Sequence, residues 1–406
     1  ASRASCSPAL ALEPRAALDK TGLEPDEPRS LGHQLVGRAP GGGDPGLEPG
    51  DPLGMGFGSR FATGRLEAGL ALYDNLGGRR LLPGTRTLDL GSDPAGKPLK
   101  PGYRLAFEYS DCWVNDARFV VLNARDAADK GAAIHVRTKV VSAKREDGGW
   151  TITLDGPSGQ QQVRARILVN SAGPWVDEVI QDVIGQKEAQ HVRLVQGSHI
   201  VVKRLFEHDK CYFFQNKDGR IFFAIPYEDD FTLIGTTDRD FEGDPENVHI
   251  TDEETDYLLA AANEYFRAPV GRDDIVWSYS GVRPLFDDGA SAAQEATRDY
   301  VLKLEGEAQS GALINVFGGK LTTSRRLAES VLEKIESVLG KKGPAWTKTS
   351  TLPGGDFGVK SFEVEVKKLC LAYPGLPPAL LKRLMRLYGT KARVILGDAQ
   401  TEAALG

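Results

Sequence analysis

The run Ala312-Leu-Ile-Asn-Val-Phe stops at Gly318-Gly319-Lys320, and apolar residues then return at Leu327, Val331, Ile335 and Leu339. A four-residue spacing is that of one helix face, whereas a short apolar run ended by glycines fits a buried strand. The pattern predicts a strand that breaks in a tight turn and restarts as a helix, with Thr322 and Thr323 as N-cap candidates. A helix start presents unpaired N–H groups and the positive end of a macrodipole, and two glycines let a ligand approach the backbone closely. Lys320 adds a mobile positive charge at the same place. Taken alone, the segment reads equally as an ordinary strand-to-helix turn with a solvated lysine.

Composition excludes several classes of function. With 406 residues, 41% hydrophobic and 26% charged, the chain has room for two or three domains of ordinary globular character. A net charge of -6 and a pI near 5.7 give no basic field for nucleic acid, so any anion must be held by particular arginines and lysines. Cys6, Cys112, Cys211 and Cys370 lie far apart without a CxxC pair, which suggests neither a metal site nor a disulfide framework and fits a reducing, cytoplasmic compartment. No run of about 18 apolar residues predicts a spanning helix.

Texture changes sharply along the chain. The first sixty residues hold eight of the 23 prolines and eleven of the 46 glycines but no Ile, Tyr or Trp. They read as irregular, and a boundary is expected near residue 63. From Leu66 a helix-like pattern begins, and Asp116 to Lys130 is a second helix candidate. Ile134 to Val141, Trp150 to Leu154 and Val163 to Asn170 read as strands, the middle one alternating like a half-exposed antiparallel ribbon. Ser198-His-Ile-Val-Val, Tyr212-Phe-Phe, Ile221-Phe-Phe-Ala-Ile-Pro and Phe231-Thr-Leu-Ile-Gly are further strand-length runs. Beyond Trp346 the chain turns helical over Phe362 to Leu371 and Pro378 to Leu387, a tail that reads as short for an independent core.

Four segments carry polar groups at the ends of apolar runs: Asn170-Ser-Ala-Gly-Pro-Trp-Val, Gln196-Gly-Ser-His-Ile, Tyr279-Ser-Gly-Val-Arg-Pro-Leu and Phe317-Gly-Gly-Lys-Leu-Thr-Thr. In order and spacing they resemble the FAD-dependent, quinone-linked glycerol-3-phosphate dehydrogenases, from about Leu66 through Asp398. Phe107-Glu-Tyr-Ser-Asp-Cys-Trp-Val-Asn-Asp-Ala-Arg, Gly235-Thr-Thr-Asp, Thr297-Arg-Asp-Tyr and Leu352-Pro-Gly-Gly support the resemblance. It implies a mixed α/β fold of the D-amino-acid-oxidase type: an FAD-dependent domain over 64–345 with a β-rich substrate part at about 181–296, then a partial helical domain over 346–406. The implied reaction is hydride transfer from sn-glycerol 3-phosphate to FAD, giving dihydroxyacetone phosphate, with electrons passed to a quinone. The resemblance allows a peripheral membrane surface and a second copy of the chain as partners.

By the same resemblance, Arg283 is the substrate arginine, with Arg298 a second candidate for the phosphate. His199 accepts the hydroxyl proton. Thr237, beside Thr236, lines the substrate. Gly318, Gly319, Lys320, Leu321 and Thr322 border the flavin edge where negative charge collects on reduction. Ala172 and Gly173 pass the ring, and Val140 offers backbone groups to the adenine.

The sequence also departs from that pattern. A strand, a G-x-G-x-x-G turn and a helix do not open it: Gly41-Gly42-Gly43 follows Arg-Ala-Pro and precedes Asp-Pro, with neither element predicted around it. The Ser-Ser-Lys and His-Gly-Gly-Leu-Arg-Tyr segments do not occur, and a shifted reading frame would give such a switch near residue 63. The first βαβ unit is therefore expected to be missing, leaving apolar sheet edges and impaired FAD binding. Two other readings are an amine or amino-acid oxidase relative and a non-catalytic remnant that binds glycerol phosphate or a protein partner.

Overall fold

A computed structural model describes residues 30–37, 69–70, 72, 83–187, 192–216, 218–287, 299–307 and 309–406, with the backbone alone for 30–37. The 41–43 glycines and Arg298 lie outside the described residues, as does most of the helix read from Leu66, of which Gly69, Leu70 and Leu72 are helical.

The aromatic and β-branched runs build one nine-stranded sheet. Its strands are β1 (Ser30–Gly37), β2 (Arg86–Asp89), β3 (Leu105–Trp113), β8 (Val192–Lys203), β9 (Cys211–Gln215), β10 (Ile221–Tyr227), β11 (Phe231–Gly235), β12 (Arg239–Asp240) and β13 (Ile275–Phe286). The order is β12-β8-β11-β10-β9-β1-β3-β2, and β13 pairs with β8 along its other edge. All neighbours are antiparallel except β1 and β9. Ser30–Gly37 thus forms a strand inside the stretch read as irregular. Two strands that pack their own aromatic side chains hold it through main-chain bonds, which demand nothing of its composition.

Period two explains the core. Tyr212, Phe214, Phe222 and Ala224 are buried on one face with Phe206, Leu258, Tyr265 and Phe266. Cys211, Phe223, Ile225 and Leu233 are buried in a separate cluster. The first cluster lies under the Asp252–Tyr265 helix, which starts in a capping box between Thr251 and Glu254. Phe214 stacks on Tyr265 with ring centroids 4.1 Å apart, and Tyr265 donates its hydroxyl to Gln215 O at 2.6 Å.

Two smaller sheets carry the rest. β4 (Lys139–Glu146), β5 (Gly149–Gly156) and β6 (Gly159–Ala165) form an antiparallel ribbon in which Trp150, Ile152 and Leu154 are buried, as the alternation of β5 predicts. β4 starts later than the sequence suggests. Arg137 takes a φ of 52°, which breaks an extended run, and Ile134 and Val136 are exposed. β7 (Ile167–Asn170) and β15 (Ala312–Phe317) pair in parallel, and β14 (Val301–Glu305) closes the far edge of β15. Trp150 Nε1 donates to Ala312 O at 2.8 Å and ties ribbon to sheet.

At the C-terminal end, the Phe362–Ala372, Pro378–Tyr388 and Ala392–Leu396 helices bury Val366, Leu369, Leu381, Met385 and Leu396 around Tyr373. The tail therefore has a core of its own, because three short helices present i, i+4 apolar pairs to one another. The guanidinium of Arg118, on the Asp116–Asp129 helix, lies 4.3 Å from the Tyr388 ring centroid, and that of Arg386 lies 5.1 Å from Trp113.

Phe214 is fully buried and touches aromatic neighbours on several sides. Phe214→Ala is expected to lower unfolding free energy by about 3–5 kcal/mol, through lost burial and an unfilled cavity. Denaturant titration of the two proteins at one temperature measures this, and a loss under about 1 kcal/mol would show that the cluster is not the centre of the fold.

Candidate active site

The strand, turn and helix predicted at the outset are present: β15 ends at Phe317, Gly318 and Gly319 take φ values of 65° and 102°, and a short 3-10 turn over Leu321–Thr323 leads into the Ser324–Leu339 helix. Both glycine conformations lie where a side chain is disfavoured. The capping expectation is corrected. No side chain caps this helix, because Thr323 turns its hydroxyl back to donate to Lys320 O at 3.1 Å. Thr322 is exposed and Lys320 and Leu321 are half-buried. The helix's apolar stripe at Leu327, Val331, Ile335 and Leu339 is only half-buried.

Beside the junction, β7 enters the tight turn that the sequence reading placed there. Asn170 and Asn315 are register partners, both buried. Asn170 Nδ2 donates to Asn315 Oδ1 and to Val176 O, each at 3.0 Å, and Asn170 Oδ1 accepts from Ala172 N at 3.3 Å. Gly173 follows with a φ of 58°, and a Cβ there would meet nothing within 4 Å. A groove of about 570 Å³ opens between these turns, lined by Ser171, Gly173, Val316, Gly318, Ser324 and Leu327 among others. Among the described residues β7 pairs only with β15, and Ile167, Leu168 and Val169 are half-buried. Val140 is half-buried at an irregular step of β4.

Gly318 also reaches the large sheet: a Cβ on it would lie 3.5 Å from Pro284 O and 3.6 Å from Phe286 N. One residue earlier on β13 is Arg283. Its Nη1 donates to Asp238 Oδ1 at 2.5 Å and its Nη2 to Thr236 Oγ1 at 3.0 Å, with the side chain 34% exposed. The guanidinium crosses directly over Gly197, where a Cβ would sit 2.4 Å from Nη2. Gly197 faces Gly281 in the β8–β13 register, and a Cβ on Gly281 would meet nothing within 4 Å. Gly197 thus seats the guanidinium, and the bare face at Gly281 leaves a trough bounded on one side by Arg283 and on the other by His199 with its register partner Tyr279.

His199 is 6% exposed and its ring lies parallel to that of Tyr279, centroids 4.8 Å apart at 6°. Gly235 makes room for it: a Cβ there would be 2.1 Å from Cδ2. His199 Nδ1 is buried without a hydrogen-bond partner. Burial first, and the positive charge of Arg283 second, lower the imidazole to about 3, so the ring is neutral at ordinary pH. Burial also pushes the Tyr279 phenol up, with the charge of Asp116 adding to it, and pushes the Asp116 carboxyl above its usual range.

The structure thus brings His199 and Arg283 onto one sheet face, with the Gly318 turn against β13, and puts Gly173 in the groove that this turn lines, Ala172 being its chain neighbour. Thr237 is placed differently from its neighbour: 3% exposed, it accepts from Ser198 N at 2.9 Å, and Thr236 is the residue that meets Arg283. Tyr279 was legible only as part of a segment. Its spacing of four from Arg283, with Gly281 between, puts all three on one strand face and was the available signal. Asp238 likewise stood only at the end of the segment Gly235-Thr-Thr-Asp, and the available signal for Glu254 was its place three residues after Thr251, the spacing of a helix cap.

The FAD-dependent oxidoreductase family model matches residues 58–325. D-erythritol 1-phosphate dehydrogenase from Brucella abortus is 47% identical over 340 residues, 83% of this chain and 68% of that one. The aerobic glycerol-3-phosphate dehydrogenase of Escherichia coli is 44% identical over 343 residues, 84% of this chain and 68% of that one. The chain therefore spans about two thirds of the length of these relatives. Among solved structures, the glycerol-3-phosphate dehydrogenase from Bacillus halodurans complexed with FAD has a TM-score of 0.69 at 23% identity, over 97% of this chain and 69% of that one, a likeness of fold. The chain belongs to the FAD-dependent glycerol-3-phosphate dehydrogenase family of oxidoreductases.

Proposed function

We propose that the trough between His199 and Arg283 binds a polyol phosphate, sn-glycerol 3-phosphate, and that the reaction is its oxidation at C2 to dihydroxyacetone phosphate with a quinone as final acceptor. The observation that carries this is the pairing of a neutral, buried imidazole having an unpartnered nitrogen with an arginine fixed by Asp238 and Thr236. A held guanidinium loses little freedom when it meets a phosphate, and Arg283 has five N–H donors to divide between its protein partners and the ester. The neutral ring takes up the hydroxyl proton. The open face at Gly281 admits the carbon chain between the two.

FAD supplies the hydride acceptor when bound. The groove suits the ring end of that group: Gly173 keeps it clear of a side chain, Gly318 lines it with backbone and Leu327 gives it an aliphatic wall. Gly319, Lys320, Leu321 and Thr322 border the same end, and the uncapped helix start with Lys320 offsets negative charge there. Ala172 stands beside Gly173, and Val140 is assigned to the adenine. Electron delivery to a quinone calls for contact with a membrane surface; among the described residues no helix is long and apolar enough to cross one.

Dye reduction by glycerol 3-phosphate, recorded beside the flavin spectrum, tests the whole reading. Reduction with bound flavin supports it, whereas phosphate-ester binding without reduction favours a non-catalytic remnant. Arg283→Ala is expected to weaken glycerol 3-phosphate binding at least about a hundredfold in calorimetric titration, the scale of losing a bidentate charged contact. An unchanged affinity would remove Arg283 from the site.

His199 also makes stability depend on pH. Its folded value, about 3, lies below the unfolded 6.5, so between those limits the unfolded chain binds a proton that the folded chain refuses. Stability is complete above 6.5 and falls toward pH 3 by about 1.4 kcal/mol per pH unit for one proton. His208, lowered chiefly by burial, adds to the same trend. Unfolding curves from pH 6.5 to 4 should be flatter for His199→Gln by about one proton; parallel curves would contradict the buried neutral ring.

A further inference from the structure

The Asp252–Tyr265 helix begins directly behind the trough, and Glu254 does more there than close a capping box. Its Oε2 accepts from Thr251 N at 3.0 Å and from Gln196 Nε2 at 2.8 Å. Its Oε1 accepts from Ser198 Oγ at 2.8 Å and from Thr237 Oγ1 at 2.5 Å. The residue is 6% exposed, and all four partners are neutral donors. A buried carboxylate without a cation is costly unless its lone pairs are occupied, and here four donors occupy them. Only the first belongs to the helix cap. The other three reach strand β8 and the turn after β11.

Those contacts set proton directions. Ser198 has one hydroxyl hydrogen, given to Glu254, so Ser280 Oγ at 2.8 Å must donate to Ser198. Thr237 likewise gives its hydrogen to Glu254 and accepts from Ser198 N. A chain of hydroxyls therefore points from Ser280 through Ser198 to the carboxylate. Ser198 and Ser280 are register partners next to His199 and Tyr279, while Thr237 follows the threonine that holds Arg283. Both walls of the trough are tied to the same carboxylate oxygen, Oε1.

Resting on the polyol-phosphate reading, we propose that Glu254 is the positioning residue of this site: it touches no substrate, but fixes the Ser198–Ser280 hydroxyl direction and the Thr236–Thr237 turn, and through them the places of His199 and Arg283.

Glu254→Gln isolates that role. Thr251 N and Gln196 Nε2 can only donate, so the amide oxygen must face them and the helix cap survives. The amide N–H groups then face Ser198 and Thr237, whose oxygens must accept, and Ser198 is left to donate toward Ser280. The hydroxyl direction reverses while the fold keeps its bonds. Thr251→Ala is the converse control, because it removes the Thr251 Oγ1 acceptor of Glu254 N and leaves the three contacts to β8 and Thr237 in place.

The test titrates the full chain and both variants with glycerol 3-phosphate by calorimetry and records each melting temperature. Glu254→Gln is expected to melt within a few degrees of the unaltered chain but to bind about tenfold more weakly; Thr251→Ala is expected to melt lower and bind as before. A Gln variant that loses stability yet keeps full affinity would show a helix cap only and overturn the proposal. If the unaltered chain ignores glycerol 3-phosphate, the substrate reading fails, and the same titration with inorganic phosphate decides the role of Glu254. Weaker phosphate binding by the Gln variant supports it, and equal binding, or none by any form, overturns it.

Discussion

The pairing of β8 with β13 is the constraint on which the site depends. Their register sets His199 against Tyr279, Ser198 against Ser280 and Gly197 against Gly281, so that an imidazole, a polar tie and a pair of glycines follow in consecutive steps. Strand side chains alternate, and a slip of one residue in β13 would turn Arg283 and Tyr279 to the face opposite His199. β11 adds the third element by ending beside His199, where Gly235 accepts the imidazole and the next two threonines divide their work between the trough and the buried carboxylate. The remainder of the large sheet, with its layers of phenylalanine and tyrosine, keeps this register from moving.

Much of this is written locally in the chain. The strand-Gly-Gly-helix unit at Ala312 to Leu339 is legible because burial and conformation agree: apolar residues where both faces are covered, then glycines where φ must be positive. The alternation of Trp150, Ile152 and Leu154 reveals the ribbon for the same reason. Arg283 and His199 are legible through the resemblance of the segments that hold them, since locally a salt-bridged arginine and a hydrogen-bonded strand-end histidine would read the same.

What escapes a linear reading is double duty and distance. Thr251-x-x-Glu254 has the pattern of a capping box, and the pattern is correct, yet three of the four bonds to that carboxylate come from residues 17 to 58 positions away. Thr236 and Thr237 are chemically identical neighbours, and only the third dimension gives one to Arg283 and the other to Glu254. The strand at Ser30–Gly37 escapes for another cause, since main-chain pairing leaves little trace in side-chain composition. The C-terminal helices likewise look too short to stand together until their apolar pairs are seen to face one another around Tyr373.

A floor made of two glycines has a thermodynamic consequence. Side chains that line a binding site usually lose rotamer freedom when a ligand arrives, at a cost of about 0.5–1.5 kcal/mol for each one immobilised. Gly197 and Gly281 have no rotamers to lose, and their backbone is already fixed by the ladder between β8 and β13. A ligand seated there would meet a surface whose ordering was completed when the protein folded. Over Gly197 the Arg283 guanidinium already fills the place of a methyl group, so the open depth is set at Gly281, where a single alanine would be enough to shorten what the trough admits.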